Sequence, residues 1–241
     1  MITIAIAEDD AQSMRALQHE IATLGYKILI TATNGKDLLL QLQKLKVNKL
    51  PTVLLLDINM PYMNGLLVTT YCSFKYPSIK IIGVSSHTNE RLIREVLAEG
   101  ATCFISKYFL TKESVIYQTY LKHSNIIQEA IQNAFKGEKM IDALIVNEPN
   151  KIGSSIATKQ VIAINYQHLK PKLIEFAILN AAELSFNDIA GLMNVSYASV
   201  KDYCKTMCVQ FNVADRHELT KKCMQFGIIK LAVYYDDTIA P

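Results

Sequence analysis

The run Val53-Leu54-Leu55-Leu56 ends on Asp57, and Ile58-Asn59-Met60-Pro61 follows at once. A short, unbroken apolar run of this kind reads as a strand buried on both faces, as strands of a parallel sheet are, and therefore calls for helices above and below it. Asp57 then falls at the carboxyl end of the strand, the edge at which open α/β sheets bind ligands. A carboxylate there is a metal ligand, a nucleophile, a strand-end cap, or simply the start of the turn before Pro61.

Three further strand ends bear on that choice. The chain opens with Ile2-Thr3-Ile4-Ala5-Ile6-Ala7 and stops at Glu8-Asp9-Asp10. Consecutive acids at a strand end repel one another unless solvated or neutralised by a cation. Hard oxygen ligands brought from two strand ends suit Mg2+, which needs one or two carboxylates and keeps several waters. Asp9 or Asp10 can instead N-cap a helix starting near Ala11, and neighbouring acids can divide the two roles. A later run, Ile79 to Val84, delivers Ser85-Ser86, and Thr102 to Ile105 delivers Ser106-Lys107. Successive βα units thus set acids, a hydroxyl and a lysine along one sheet edge.

The segments between these runs read as helices. Met14, Leu17, Ile21 and Leu24 form an apolar stripe closed by Gly25. Leu38, Leu39, Leu42 and Leu45 form another after Asn34-Gly35, and Leu92, Ile93, Val96 and Leu97 a third ending at Gly100. The alternation favours a parallel sheet. A last helix through Ile126, Ile127, Ala130, Ile131, Ala134 and Phe135 is expected, capped by Ser124 or Asn125. Between it and Lys107 lies an additional segment, Tyr108 to His123.

The set Glu8-Asp9, Asp57, Ser85 and Lys107, with D-I-N-M-P-Y-M-N-G from Asp57 to Gly65 and G-A-T-C-F-I-S-K from Gly100 to Lys107, resembles the receiver domain of two-component response regulators. The resemblance covers about the first half of the chain. It implies a doubly wound, five-stranded parallel sheet of flavodoxin-like order. It implies that Asp57 accepts a phosphoryl group from the phosphohistidine of a sensor histidine kinase. Glu8, Asp9, Asp57 and the backbone carbonyl of Asn59 would hold Mg2+. Lys107 would meet the phosphoryl oxygens as a point charge, and the Ser85 hydroxyl would move to hydrogen-bond them. Phe104 matches the aromatic switch position whose ring swings inward when the serine moves. Typical receivers enter their last helix soon after the lysine, so the Tyr108–His123 segment puts the usual dimerisation geometry in question.

The expected domain plan is a receiver over 1–137, a linker over 138–165, a helical domain over 166–232 and a tail over 233–241. Met140 to Val146 reads as a short helix inside the linker, ahead of the breaker-rich stretch Asn147 to Ser155. Helices are expected from Leu169-Lys170-Pro171, from the N-cap Ser185 with Asp188 at the capping-box position, from the N-cap Ser196 over Tyr197 to Phe211, and from near Asp215. Two short helices joined by the tight turn at Asn194-Val195 carry the helix-turn-helix signature.

This stretch resembles the LuxR-type DNA-binding domain of the NarL/FixJ class, through Leu169-Lys170-Pro171-Lys172, Phe186-Asn187-Asp188-Ile189-Ala190, Ser196 to Lys201, and Asn212-Val213. By that likeness Tyr197 to Phe211 is the recognition helix, and Ser196, Tyr197, Lys201, Asp202 and Lys205 form the DNA-facing set. Lys201 and Lys205 lie one turn apart on one face, and Asp202 is placed to accept from a cytosine amino group. From Tyr166 to Pro241 the eight acidic side chains cancel the eight basic ones. Phosphate neutralisation supplies most non-specific affinity, so DNA binding is expected to need a dimer.

Half of the residues are apolar and 20% are charged, as in globular chains. No apolar run reaches the length of a membrane span, and Met1 to Ala7 is too short for a signal peptide. Five scattered cysteines fit reduced thiols and a cytoplasmic location. Cys204 and Cys208, with Met207, are expected to face the domain core or a dimer partner, without a metal. The histidines suggest no joint site.

The expected function is a cytoplasmic response regulator whose phosphorylation at Asp57 gates promoter binding and dimerisation. An alternative keeps the receiver and gives the C-terminal domain a protein partner. A phosphohydrolase also uses an Asp at a strand end, but Asn59 stands where such enzymes carry a second acid, and no cap domain is apparent.

Overall fold

Five alternations of strand and capped helix, followed by a sixth strand, build the first half of the chain. The structure, a computed structural model, describes residues 1–87, 89–110, 125–142 and 169–229. Its first elements are β1 (Thr3–Ala7), α1 (Ala11–Thr23), β2 (Lys27–Ala32), α2 (Gly35–Gln43), β3 (Val53–Asp57), α3 (Gly65–Lys75), β4 (Lys80–Ser85), α4 (Glu90–Ala98), β5 (Cys103–Ser106), α5 (Ile126–Lys136) and β6 (Met140–Ile141). The strands are all parallel and run in the order β2-β1-β3-β4-β5-β6. This is the doubly wound, flavodoxin-like arrangement with one strand added at an edge.

The local chemistry explains the boundaries. Asp10 caps α1 by accepting from Ser13 N at 2.7 Å, Asn34 caps α2, and Asn125, rather than Ser124, caps α5. Val53 to Asp57 are buried along their whole length, as a central strand demands. Leu17 and Ile21 of α1 join Ile127 and Ile131 of α5 on one face of the sheet. Leu38, Leu42, Leu66 and Ile93 cover the other.

The sixth strand corrects the expected plan. Met140-Ile141 is not helical: it pairs with β5, Cys103 opposite Met140 and Phe104 opposite Ile141. Gly137 ends α5 with φ 79°, and the chain returns along the free edge of β5, whose backbone groups would otherwise lack partners. The sheet therefore runs past the expected boundary at 137. Residues 143–146 of the expected helix, the remaining linker and the tail lie outside the described residues. So does most of the segment Tyr108–His123, whose first three residues lie in the 3-10 turn Lys107–Leu110.

The second half is helical, as expected: α6 (Pro171–Ala181), α7 (Phe186–Met193), α8 (Tyr197–Phe211) and α9 (Arg216–Gln225). Ser185, Ser196 and Asp215 cap α7, α8 and α9. Asn194 and Asn212 end α7 and α8 in the left-handed conformation. These helices share one apolar core with the α2–α3–α4 face of the parallel sheet, so the two halves pack as one body.

Candidate phosphoacceptor site and nucleic-acid interface

The parallel register brings the strand ends together. Glu8 follows β1, Asp57 ends β3, Ser85 ends β4 and Lys107 follows β5, and all four meet at one sheet edge. Glu8, Asp57 and Ser85 are buried, whereas Asp9 is exposed. The carboxylate oxygens of Glu8, Asp9 and Asp57 lie within 4.8 Å of one another. Asp10 is occupied with capping α1, so the adjacent acids divide the work: one closes a helix and two face the site.

Lys107 holds the cluster together. Its Nζ is 2.8 Å from both oxygens of Glu8 and 3.0 Å from Asp57 Oδ2. Only Glu8 Oε1 receives a well-directed bond from it; Oε2 is buried without one. Burial, against the pull of Lys107, raises the Glu8 carboxyl to about 7. Burial likewise raises Asp57, although Lys107 and the Asn59 N–H lower it. Burial alone would lower the Lys107 ammonium, but Glu8 and Asp57 outweigh it and the net shift is upward. One cation thus serves two buried carboxylates, leaving a donor set of hard oxygens short of positive charge. That set fits a divalent cation such as Mg2+.

The loop after Asp57 is shaped around it. Asn59 N donates to Asp57 Oδ1 at 3.1 Å. α3 begins so close that a Cβ on Gly65 would lie 2.3 Å from the Asp57 carbonyl oxygen, so only glycine fits. Ser85 Oγ accepts from His87 N at 3.0 Å, which leaves its O–H free to donate. Asn59 Nδ2 in turn lies 2.7 Å from His87 Nδ1. Nothing in the sequence reading singled out His87, although it stands two residues after the hydroxyl that marks the end of β4. Phe104 is fully buried with its ring turned inward, where a Cβ on Gly83 would come within 2.9 Å of it.

The expected DNA-facing residues share one surface. Tyr197, Lys201, Asp202 and Lys205 are exposed on α8 and Ser196 at its N-cap, and Lys201 Nζ stands 5.2 Å over the Tyr197 ring. Ser196 is committed to capping, accepting from Ser199 N. Cys204 and Cys208 are half-buried against the domain core, and burial raises the Cys208 thiol to about 11. Two acids counted against DNA binding face elsewhere. Glu175 pairs with Lys75 and Asp188 with Lys36, both lysines belonging to the α/β half. The charge balance across the domain therefore understates how basic its free surface is.

Comparison with known proteins agrees with the geometry. The family model of the response regulator receiver domain matches residues 4–119. The chain is 22% identical to the transcriptional regulatory protein LnrK of Bacillus subtilis over 241 aligned residues, 95% of this chain and 99% of that one. It is 26% identical to the transcriptional regulatory protein DegU of Brevibacillus brevis, over 75% of this chain and 76% of that one. It is 34% identical to the chemotaxis protein CheY of Thermotoga maritima, over 42% of this chain and 82% of that one. Among the described residues no helix is long and apolar enough to cross a membrane.

Proposed function

The chain belongs to the response regulators of two-component systems, in the NarL/FixJ class, and from that premise we propose that phosphorylation of Asp57 by a sensor histidine kinase gates promoter binding through α8. The observation that carries the reading is the convergence of Glu8, Asp9, Asp57 and Lys107 at one sheet edge, with Lys107 bridging two buried carboxylates.

Asp57 is presented as an acceptor. Asn59 N holds Oδ1, and Oδ2 faces Lys107 and is the oxygen that attacks phosphorus. The new Oδ2–P bond forms as the P–N bond to the kinase imidazole breaks, and that nitrogen takes up a proton. The transition state is loose and charge-dispersed, so placement and neutralisation supply most of the catalysis. Glu8, Asp9, Asp57 and the Asn59 carbonyl are the residues that would hold Mg2+, which would screen the acids and neutralise the phosphoryl oxygens. Lys107 then exchanges Glu8 for the phosphoryl oxygens, and the free Ser85 O–H turns toward them. The product carries close to two added negative charges at one point, which is the switch. Asp57 is a way station for phosphate and not the nucleophile of a turnover enzyme, because Asn59 stands where a phosphohydrolase carries its second acid.

At the output end, Lys201 and Lys205 are exposed on one face of a capped helix, as groove and phosphate contacts require. The test is binding of the full-length protein to genomic DNA fragments across a salt series, with and without Mg2+ and beryllofluoride. The expected result is tighter binding with the phosphoryl mimic, weakening steeply with salt, and no response in Asp57→Asn. Absence of binding in either state, with the mimic still changing oligomeric state, would move the output to a protein partner.

A further inference from the structure

From Leu38 to Leu56 the chain holds no acid, and its charged residues there are Lys44, Lys46 and Lys49. Lys44 closes α2, Lys46 precedes the 3-10 turn Val47–Lys49, and Lys49 ends that turn. All three are exposed, and none has an ion-pair partner among the described residues. The loop that carries them is held in place. Leu45 and Leu50 pack against the core, and Lys49 N donates to the Lys46 carbonyl at 2.8 Å. Like charges fixed this close repel one another, so the loop is a site that an anion stabilises.

Its position says which anion. α2 runs alongside α7: near its start Lys36 Nζ is 2.8 Å from Asp188 Oδ1, and at its end Gln43 Nε2 donates to the Gly191 carbonyl at 2.8 Å. The two contacts advance in the same direction along both helices. The end of α2 therefore lies beside the end of α7, where the turn Asn194-Val195 leads into α8. In a helix-turn-helix pair the first helix crosses the DNA backbone and the second enters the major groove. The basic loop thus emerges next to the helix that crosses the backbone. Lys36 meanwhile neutralises Asp188, the one acid of α7. The charge balance points the same way. Acids and bases cancel from Tyr166 to Pro241, so the net charge of +3 resides in the residues ahead of the helical domain. Phosphate neutralisation supplies most non-specific affinity, and the helical domain has no surplus to give.

We propose that Lys44, Lys46 and Lys49 form a second DNA-binding surface, on the receiver, that contacts backbone phosphates flanking the groove entered by α8. The choice of DNA as partner rests on the function proposed above. The two halves then bind one duplex as a unit: α8 reads base edges, and the loop adds affinity and fixes orientation. Contacts of this kind carry no sequence information, so the loop strengthens binding to every fragment alike. The loop is anchored by Leu45 and Leu50, so little ordering is needed when the phosphates arrive.

The test is equilibrium binding of the full-length protein, with Mg2+ and beryllofluoride, to genomic DNA fragments across a salt series. Wild type is compared with the triple variant Lys44→Gln, Lys46→Gln, Lys49→Gln and with a control, Arg15→Gln with Lys136→Gln. The control charges sit on α1 and α5, which cover the opposite face of the sheet. The triple variant is expected to flatten the log–log salt slope by about 2–3 per bound protomer, close to 1 for each lysine. It should weaken all fragments by the same factor, and leave the urea midpoint and the affinity for beryllofluoride unchanged. The control should keep the wild-type slope. Lys46→Gln alone should flatten the slope by about 1, which covers any loss of folding in the triple variant. A wild-type slope in the folded loop variants overturns the proposal and leaves the proposed function standing. An equal loss in the control overturns it too, because net charge rather than contact is then at work. A loop variant that loses beryllofluoride affinity instead places the lysines in the switch and not on DNA. Wild-type protein that binds no fragment in any state removes the DNA partner, and the proposed promoter binding fails with it.

Discussion

The side chain of Asn59 lies 2.7 Å from His87 Nδ1 and so ties the loop that carries the phosphoacceptor to the loop that carries the Ser85 hydroxyl. Because Asn59 N also holds Asp57 and His87 N also holds Ser85 Oγ, a chain of hydrogen bonds runs from Asp57 through Asn59 and His87 to Ser85. Asn59→Ala and His87→Ala are each expected to change the lifetime of the Asp57 phosphoryl group severalfold. The double substitution should change it no more than the larger single one, since both remove one contact. Decay of phosphorylated protein after removal of the donor measures this, and additive effects would show that the two side chains act apart.

Lys107→Ala should destabilise the metal-free protein by about 3–5 kcal/mol, because it leaves Glu8 and Asp57 buried with their shared cation gone. Added Mg2+ should recover much of the loss. Urea unfolding with and without Mg2+ reads both numbers. An equal loss with and without the cation would mean that Lys107 acts through packing alone.

The raised Glu8 carboxyl makes metal-free stability depend on pH. Unfolded, Glu8 gives up its proton near 4.5; folded, near 7. Between these values the folded chain binds more protons than the unfolded one, so stability is full below about 4.5 and falls as pH rises to about 7. The raised Asp57 acts in the same direction. Glu8→Gln should flatten the profile, as measured by urea midpoints from pH 4 to 8.

Lys201→Ala and Lys205→Ala should each weaken DNA binding uniformly across sequences and reduce the salt slope by about 1. Asp202→Ala should instead alter sequence preference. Equilibrium binding at several salt concentrations separates the two behaviours. A salt slope untouched by both lysine substitutions would place the DNA contacts off this face of α8.

Much of the site was legible because its determinants are local. A strand buried on both faces announces itself as an apolar run, its end as the first acid or hydroxyl, and a parallel sheet places all such ends on one edge. The helix caps at Asp10, Asn34, Ser185 and Ser196 likewise follow from a polar side chain within three residues of the amide it serves. His87 was missed because its role is a contact to Asn59, 28 residues away, that no spacing rule encodes. Met140-Ile141 was misread because two residues carry no period; the open edge of β5 decided their conformation.

By itself, then, the sequence determined the strand-helix alternation, the acids, hydroxyl and lysine at the sheet edge, and the four capped helices that follow, since each depends on neighbours within a turn or a strand. Only the tertiary structure decided where the helical domain sits. Glu175 meets Tyr71 across 104 residues and Lys75 across 100, and Asp188 meets Lys36. The one trace of this in the sequence is an α3 with no polar face, Gly-Leu-Leu-Val-Thr-Thr-Tyr-Cys. Such a helix states that something must cover it, because exposed apolar surface is costly, but the hydrophobic effect has no direction and does not say what. The partner was selected by shape and by the one buried carboxylate whose donors lie on both sides of the junction.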